Sequence, residues 1–134
     1  MKYLFDTNIC IDVIRRRPVS LLQRMLGADL EEIGISTITL AELQFGAAKS
    51  AFPERNRIAL IEFLTPFEIL DFDQAAAGDY GKIRADLERR GSVIGPMDML
   101  IAAQARSRDL ILVTNNTREF RRIHDLKVEN WVRG

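Results

Sequence analysis

Short runs of aliphatic and aromatic residues alternate along the chain with longer segments in which apolar residues recur at helical spacing. Runs of the first kind predict buried strands, and segments of the second kind predict helices. The predicted strands cover residues 3–5, 33–36, 67–70, 110–113 and 128–132. Because helices separate the strands, the pattern indicates an α/β fold with a mostly parallel sheet and helices on both faces.

Capping residues and breakers set the ends of the predicted helices. Ser, Thr, Asp and Asn suit the residue before a helix, proline suits its first turn, and glycine suits the residue after it. On these signals, helices are predicted from about residue 8 to the basic run before Pro18, over about 19–26, from 37 through 48, from 53 through 64, between Asp73 and Gly91, and from 96 through 105.

Length and composition narrow the class of protein. A chain of 134 residues that is 47% hydrophobic suits a single domain over residues 1–134. Its 19 cations balance its 19 acids, so the net charge gives no general attraction to nucleic acid. Cys10 is the only cysteine, which argues against a disulfide framework and favours a cytoplasmic location. No segment has the pattern of a signal peptide or a membrane span, so no membrane association is expected.

Three carboxylates stand alone in apolar surroundings. Asp6 ends the first predicted strand, Glu42 is the only charged residue between Glu32 and Lys49, and Asp98 begins the helix after Pro96. Each has an ordinary explanation, because Asp6 and Asp98 suit a helix N-terminus and Glu42 could meet a distant arginine. A buried, unpaired carboxylate must otherwise be protonated or bound to a metal. Three of them around one parallel sheet favour a shared site.

Oxygen ligands without histidine or cysteine favour a hard divalent cation, Mg²⁺ or Mn²⁺, which binds phosphate oxygens. Such an ion activates water for phosphodiester hydrolysis. The single histidine, His124, lies among charged residues and is expected at the surface. The sequence therefore gives little support to histidine-based nucleophilic catalysis. Arg15, Arg16 and Arg17 close the first predicted helix, where cations favour the helix dipole, and contact with RNA is the alternative.

Four motifs in order resemble the PIN-domain ribonucleases, and more narrowly the VapC-type toxins of bacterial toxin–antitoxin pairs. They are Leu-Phe-Asp-Thr-Asn at 4–8, Ser-Thr-Ile-Thr-Leu-Ala-Glu-Leu at 36–43, Gly-Pro-Met-Asp at 95–98 with Ile-Ala-Ala at 101–103, and Val-Thr-Asn-Asn at 113–116 continuing to Glu-Phe at 119–120. The resemblance implies a three-layer α/β/α sandwich and a Mg²⁺- or Mn²⁺-dependent endoribonuclease that cuts structured RNA loops, commonly tRNA anticodon loops. It also implies a VapB-type antitoxin partner, a homodimer and a toxin–antitoxin hetero-oligomer.

The same resemblance assigns roles to individual residues. It makes Asp6, Glu42 and Asp98 catalytic metal ligands, with Thr7, Asn8 and Thr114 shaping the site. Many PIN domains carry an aspartate where this chain has Asn116, so Asn116 or Glu119 must fill the fourth acidic position. Helical spacing places Glu119 one turn beyond Asn116, although Glu119 could instead cap the helix or pair with Arg122.

Substrate contacts are expected from arginines that flank the acidic groove, and Arg84, Arg89 and Arg90 are the candidates. An antitoxin tail is expected to compete with RNA there. Two other functions remain open. A receiver-like signalling domain would use Asp71 or Asp73 as its phosphate acceptor but leaves Glu42 without a role. A catalytically silent PIN-fold binding module would keep the fold without cleaving RNA.

Overall fold

The computed structural model describes residues 1–133, and its centre is a five-stranded sheet in the order β3-β2-β1-β4-β5. Every neighbouring pair of strands is parallel, as the sequence predicts. The strands are β1 (Tyr3–Phe5), β2 (Ile33–Ser36), β3 (Glu68–Leu70), β4 (Ile111–Val113) and β5 (Val128–Glu129). The last strand is shorter than predicted because the chain turns so that Trp131 packs edge-on against Tyr3 and Phe5, with ring centres 4.9 and 5.5 Å apart.

One or more helices lie between each strand and the next along the chain. They are α1 (Thr7–Ile11), which continues into a π-helical turn (Asp12–Arg16), α2 (Val19–Leu26), α3 (Thr37–Ala48), α4 (Pro53–Leu64), α5 (Gln74–Arg89), α6 (Pro96–Ser107) and α7 (Thr117–Phe120), with a 3₁₀ turn (Leu30–Glu32) before β2. Within residues 1–133, no helix has the length and apolar character needed to span a membrane.

Side-chain caps fix where three of these helices begin. Asp6, Ser36 and Asp73 each accept a hydrogen bond from a backbone N–H two or three residues later, which satisfies one of the free donors of a first turn. Pro53 and Pro96 open α4 and α6 in their first turns, where a missing N–H does no harm. The predicted caps of Ser36 and Asp73 are therefore confirmed, and the capping explanation of Asp6 also holds.

Hydrophobic side chains fill both sides of the sheet. Successive residues of a strand point to opposite faces, so Leu4 and Leu112 pack with α5 and α6 while Phe5 and Val113 pack with α1 to α4. The result is the predicted three-layer α/β/α sandwich. In this sheet β1 lies in the middle, between β2 and β4. The chain runs outward from β1 through β2 to β3 and then crosses to β4 on the other side of β1. A crevice at the carboxyl ends of such strands is the usual ligand site of an open α/β sheet.

A partly buried ion pair joins the two helices on one face. Arg106 of α6 donates from Nε and Nη2 to both carboxylate oxygens of Asp79 in α5, at 2.7 and 2.9 Å, and from Nη1 to the carbonyl of His124. The two side chains are only 20% and 17% exposed. The guanidinium holds the pKa of Asp79 below its usual value.

We expect Asp79→Asn to destabilise the protein by about 1–3 kcal/mol at pH 7, because the variant loses a charge-assisted, bidentate contact. Since the folded-state pKa of Asp79 is lowered, its contribution is present above the unfolded pKa and disappears as pH falls through the folded value. Urea unfolding of both proteins should therefore give a gap that closes in acid. Glu54→Gln is the control, because Glu54 makes a similar contact with Arg57 in full solvent and should change little. A gap that stayed constant with pH would contradict this account.

Candidate active site

Asp6 lies at the end of the central strand and is 2% exposed. Its backbone N–H donates to the carbonyl of Val113 at 3.1 Å, which fixes it against the end of β4. Its Oδ1 accepts from the backbone N–H of Ile9 at 2.9 Å, so the carboxylate is aimed at the start of α1. Both contacts follow from a strand that stops at an aspartate and turns directly into a helix.

Burial raises the pKa of Asp6 to about 7. Contacts with Thr114 and the N–H of Ile9 oppose the rise, and the negative charges of Asp98 and Asp12 add to it. No arginine or lysine of residues 1–133 forms an ion pair with Asp6. Its charged form is therefore destabilised and lacks a partner within the protein.

Glu42 extends into the same region from α3, and two threonine hydroxyls in series hold its carboxylate. The Thr7 hydroxyl lies 2.6 Å from Glu42 Oε1 and 3.2 Å from the hydroxyl of Thr39. A hydroxyl has one hydrogen, so Thr7 donates to the carboxylate and accepts from Thr39. This contact orients Glu42 without neutralising it, and the predicted distant arginine partner is absent from residues 1–133.

Asp98 completes the group from the first turn of α6, where it is half-buried. Burial raises its pKa, and the charges of Glu42 and Glu119 raise it further. Carboxylates from four parts of the chain, at residues 6, 42, 98 and 119, therefore influence one another. The structure brings together the acids that the sequence predicts for one site.

An open groove of about 590 Å³ borders two of these acids, Glu42 and Asp98. Four of the predicted site residues line it, namely Thr7, Asn8, Glu42 and Asp98. Arg15 and Lys49 also line it, together with Phe45 and Gly46 of α3. The groove is thus lined by two acidic and two cationic side chains.

The loop after β4 carries the remaining candidates. Thr114 is buried and its hydroxyl accepts from the backbone N–H of Asn116 at 2.9 Å. The Asn116 amide donates to Glu119 Oε2 at 3.0 Å. Glu119 makes no ion pair with Arg122 in the described chain, and its charge acts on Asp98 instead. Asn116 therefore holds the nearby acid in addition to offering its own oxygen.

The three arginines predicted to bind substrate do not line the groove. Arg84 pairs with Glu88 at 3.1 Å, while Arg90 and Arg89 pair with Asp86 at 2.7 and 4.0 Å. All are neighbours on α5 at helical spacing, so these charges stabilise the helix surface locally. That prediction stays without structural support, and the cations of the groove come from other elements.

Sequence reasoning missed Asp12, a second buried acid near Asp6. Its two oxygens accept from Arg16 at 2.8 Å and from Asn115 at 3.0 Å, and it is 2% exposed. The contact with Asn115 ties the π-helical turn to the loop after β4. The spacing of Asp12 and Arg16 predicts their ion pair, but nothing local predicts the contact with Asn115.

The donor set fits a hard divalent cation. Within residues 1–133, no three Asp, Glu, His or Cys side chains enclose an ion by themselves. Mg²⁺ usually keeps several waters and uses only one or two carboxylates, so an incomplete cage suits it. Asp6 and Asp98 have raised pKa values and form no ion pair within residues 1–133, and a bound cation would stabilise their charged forms.

The profile of the PIN domain family matches residues 3–126. This chain belongs to the PIN-domain family. Within it the chain belongs to the VapC ribonucleases, because it is 47% identical over 131 residues to the tRNA(fMet)-specific endonuclease VapC of Shigella flexneri, covering 98% of each chain. It is 48% identical over 132 residues to ribonuclease VapC2 of Haemophilus influenzae, covering 98% of this chain and 99% of the relative.

A solved structure supports the same assignment. VapBC2 from Rickettsia felis, bound to a DNA fragment from its promoter, superposes with a TM-score of 0.92 at 44% identity, covering 98% of this chain and 99% of that one. PIN-domain VapC nucleases generally depend on a divalent metal. The comparisons do not favour the receiver-like alternative, and Asp73, one of its candidate acceptors, caps α5.

The raised pKa of Asp6 makes the metal-free protein sensitive to pH. Because the folded state holds its proton more tightly than the unfolded state, stability falls as pH rises from about 4 to about 7. Asp6→Asn removes this effect and keeps an oxygen for the Ile9 cap. In EDTA we expect urea unfolding to show the variant about 2–4 kcal/mol more stable than wild type at pH 8, with a smaller gap at pH 5. A stability difference of the same size at both pH values would indicate that packing, and not charge, causes it.

Proposed function

We propose that this VapC ribonuclease is a Mg²⁺- or Mn²⁺-dependent endoribonuclease and the toxin of a toxin–antitoxin pair. It hydrolyses phosphodiester bonds in structured RNA loops, with tRNA anticodon loops as the leading candidates. The observation that carries this proposal is the convergence of Asp6, Glu42 and Asp98 at the carboxyl end of the central strand, without a cationic partner in residues 1–133.

Asp6, Glu42 and Asp98 would hold the ion, with water completing its coordination. When bound, the ion polarises a phosphate oxygen and lowers the pKa of a water molecule that attacks phosphorus. Thr7 keeps Glu42 Oε1 in place through its hydroxyl. The carboxyl of Asp6 gives up its proton when the cation binds, because cation binding favours the charged form.

The substrate assignment rests on the relatives. The relatives from Shigella flexneri and Salmonella typhimurium are named for tRNA(fMet), and we extend a tRNA substrate to this chain. A tRNA substrate also places the enzyme in the cytoplasm. Residues 1–134 act as one PIN domain in this proposal, because strands from Tyr3 to Glu129 form a single sheet.

A VapB-type antitoxin is the proposed partner. Solved structures similar to this chain include VapBC from Salmonella typhimurium bound to DNA, with a TM-score of 0.93. The open groove beside the acids would accept an antitoxin segment in competition with RNA. The homodimer and the toxin–antitoxin hetero-oligomer belong to the same proposal.

We expect the purified chain to cleave RNA with Mg²⁺ or Mn²⁺ and to stop when EDTA is added. Glu42→Gln and Asp98→Asn should each lower the cleavage rate by more than about 100-fold while the protein remains folded, because each removes a charged ligand. Asp71→Asn is the control, since Asp71 is exposed and serves only the receiver-like alternative. Gel analysis of cleavage products and circular dichroism give the measurements. A folded, metal-loaded wild type without cleavage would instead support the silent binding module.

Glu119 and Asn116 are the two candidates for the fourth acidic position, and substitutions of them should have different effects. Ligand charge sets the affinity of hard cations, so we expect Glu119→Gln to raise the Mg²⁺ concentration for half-maximal cleavage by about tenfold. Asn116→Ala should raise it less, because it only frees Glu119 from its amide contact. The double variant should then resemble Glu119→Gln alone. An unchanged Mg²⁺ dependence in Glu119→Gln would assign this residue a structural role.

A further inference from the structure

One face of α3 carries an ordered series of side chains along the groove. The series begins at Glu42 and continues with the residues three, four and seven positions later, which are Phe45, Gly46 and Lys49. This spacing places all four on one side of the helix over two turns. All four line the groove that Asp98 also borders. Phe45 is 65% exposed, so much of a large aromatic ring is accessible about one helical turn from Glu42.

Gly46 keeps the middle of this face open. A Cβ built at Gly46 meets nothing within 4 Å, so the absent side chain is not required by packing. Glycine is also unfavourable in the interior of a helix. Its effect here is to expose the backbone of α3 between the aromatic ring and the cation.

Two cationic side chains also line this groove. Arg15 comes from the π-helical turn and Lys49 ends α3, and neither pairs with an acidic side chain of residues 1–133. The Lys49 ammonium lies 4.9 Å from the centre of the Phe45 ring. The rise of a helix puts Lys49 about 10 Å beyond Glu42. An RNA strand with one phosphate at the acids would thus have a nearby phosphate within the reach of the long Lys49 side chain.

We propose that Arg15, Phe45, Gly46 and Lys49 form a flank subsite for single-stranded RNA. The base next to the cleaved bond stacks on Phe45, and the following phosphate binds Arg15 and Lys49. Stacking on an aromatic ring beside cations is the general way in which proteins hold unpaired nucleotides. This inference rests on the proposed function, because it needs an RNA strand at the acids.

The cations of the groove, unpaired within residues 1–133, suit an RNA strand, with which an antitoxin segment would compete. A strand of RNA presents regularly spaced phosphates, which match free cations beyond a carboxylate cluster. The separate groove on the other side of α3 is more apolar in its lining, with Ala47, Ala48, Ile61 and Leu64. An apolar helix of a partner would be better matched by that second surface.

The first test measures KM for cleavage and the binding of a fluorescent, single-stranded oligoribonucleotide in EDTA. Phe45→Ala should weaken binding and raise KM by about tenfold, and Phe45→Trp should restore both. Lys49→Gln and Arg15→Gln should each lower the slope of log affinity against log salt by about 0.7, the value for one lost phosphate contact. A residue with only a structural role would not change that slope.

A matched pair of glycine variants tests the shape of the subsite. Gly46→Gln fills the groove, whereas Gly78→Gln places the same side chain at an equally open glycine inside α5. Both variants should fold with similar melting temperatures. We expect only Gly46→Gln to raise KM, again by about tenfold, with kcat changed much less.

The outcomes separate the two proposals. A wild-type protein that does not cleave RNA with Mg²⁺ or Mn²⁺ would overturn the proposed function. A wild type that cleaves, with variants at Phe45 and Lys49 that keep its KM and salt slope, would overturn the flank subsite alone. Phe45→Ala that weakens binding of the antitoxin from the same operon, but leaves KM for RNA unchanged, would identify a protein interface and also overturn it.

Discussion

The burial of one carboxylate at the end of β1 is the constraint on which this structure depends. Asp6 is tied to β4 through its backbone and to α1 through its side chain. A charged group in this position is unfavourable unless it is paired, and the sheet and α1 hold it there nonetheless. The two hydrophobic layers around Leu4 and Phe5 supply the stability that makes this possible.

Cations are distributed so that they do not relieve this constraint. Arg16 binds Asp12, Arg106 binds Asp79, and the arginines of α5 bind acids on their own helix. Within the described residues, Asp6 and Glu42 are left with hydroxyl or backbone contacts, and none of Asp6, Glu42 and Asp98 forms an ion pair. Local pairing elsewhere in the chain thus preserves an acidic site that requires a cation from outside.

The sequence predicts most of the fold and the acids of the site, because both depend on local signals. Apolar runs mark the strands, Ser36 and Asp73 mark helix starts, and lone acids in apolar segments mark Asp6 and Glu42. The errors have a common physical cause, which is dependence on distant contacts. The shorter β5 follows from Trp131 packing on β1, and the pairing of Asn115 with Asp12 joins residues 103 positions apart. The substrate role of Arg84 and Arg90 stays a prediction without structural support, because each pairs with an acid four residues away and neither lines the groove.

The charge distribution in the groove explains how a chain without net charge can attract a polyanion. Attraction to RNA phosphates needs positive potential where the strand lies, and it does not need an excess of cations over the whole surface. Helix α3 separates the two kinds of charge along one face, with Glu42 in its middle and Lys49 just after its last residue. If RNA binds along this face, the acids contribute nothing to attraction until a divalent ion occupies them. Metal binding would then make the acidic part of the groove attract and orient the phosphate that is cleaved. The affinity for RNA and the rate of cleavage would therefore depend on the same ion.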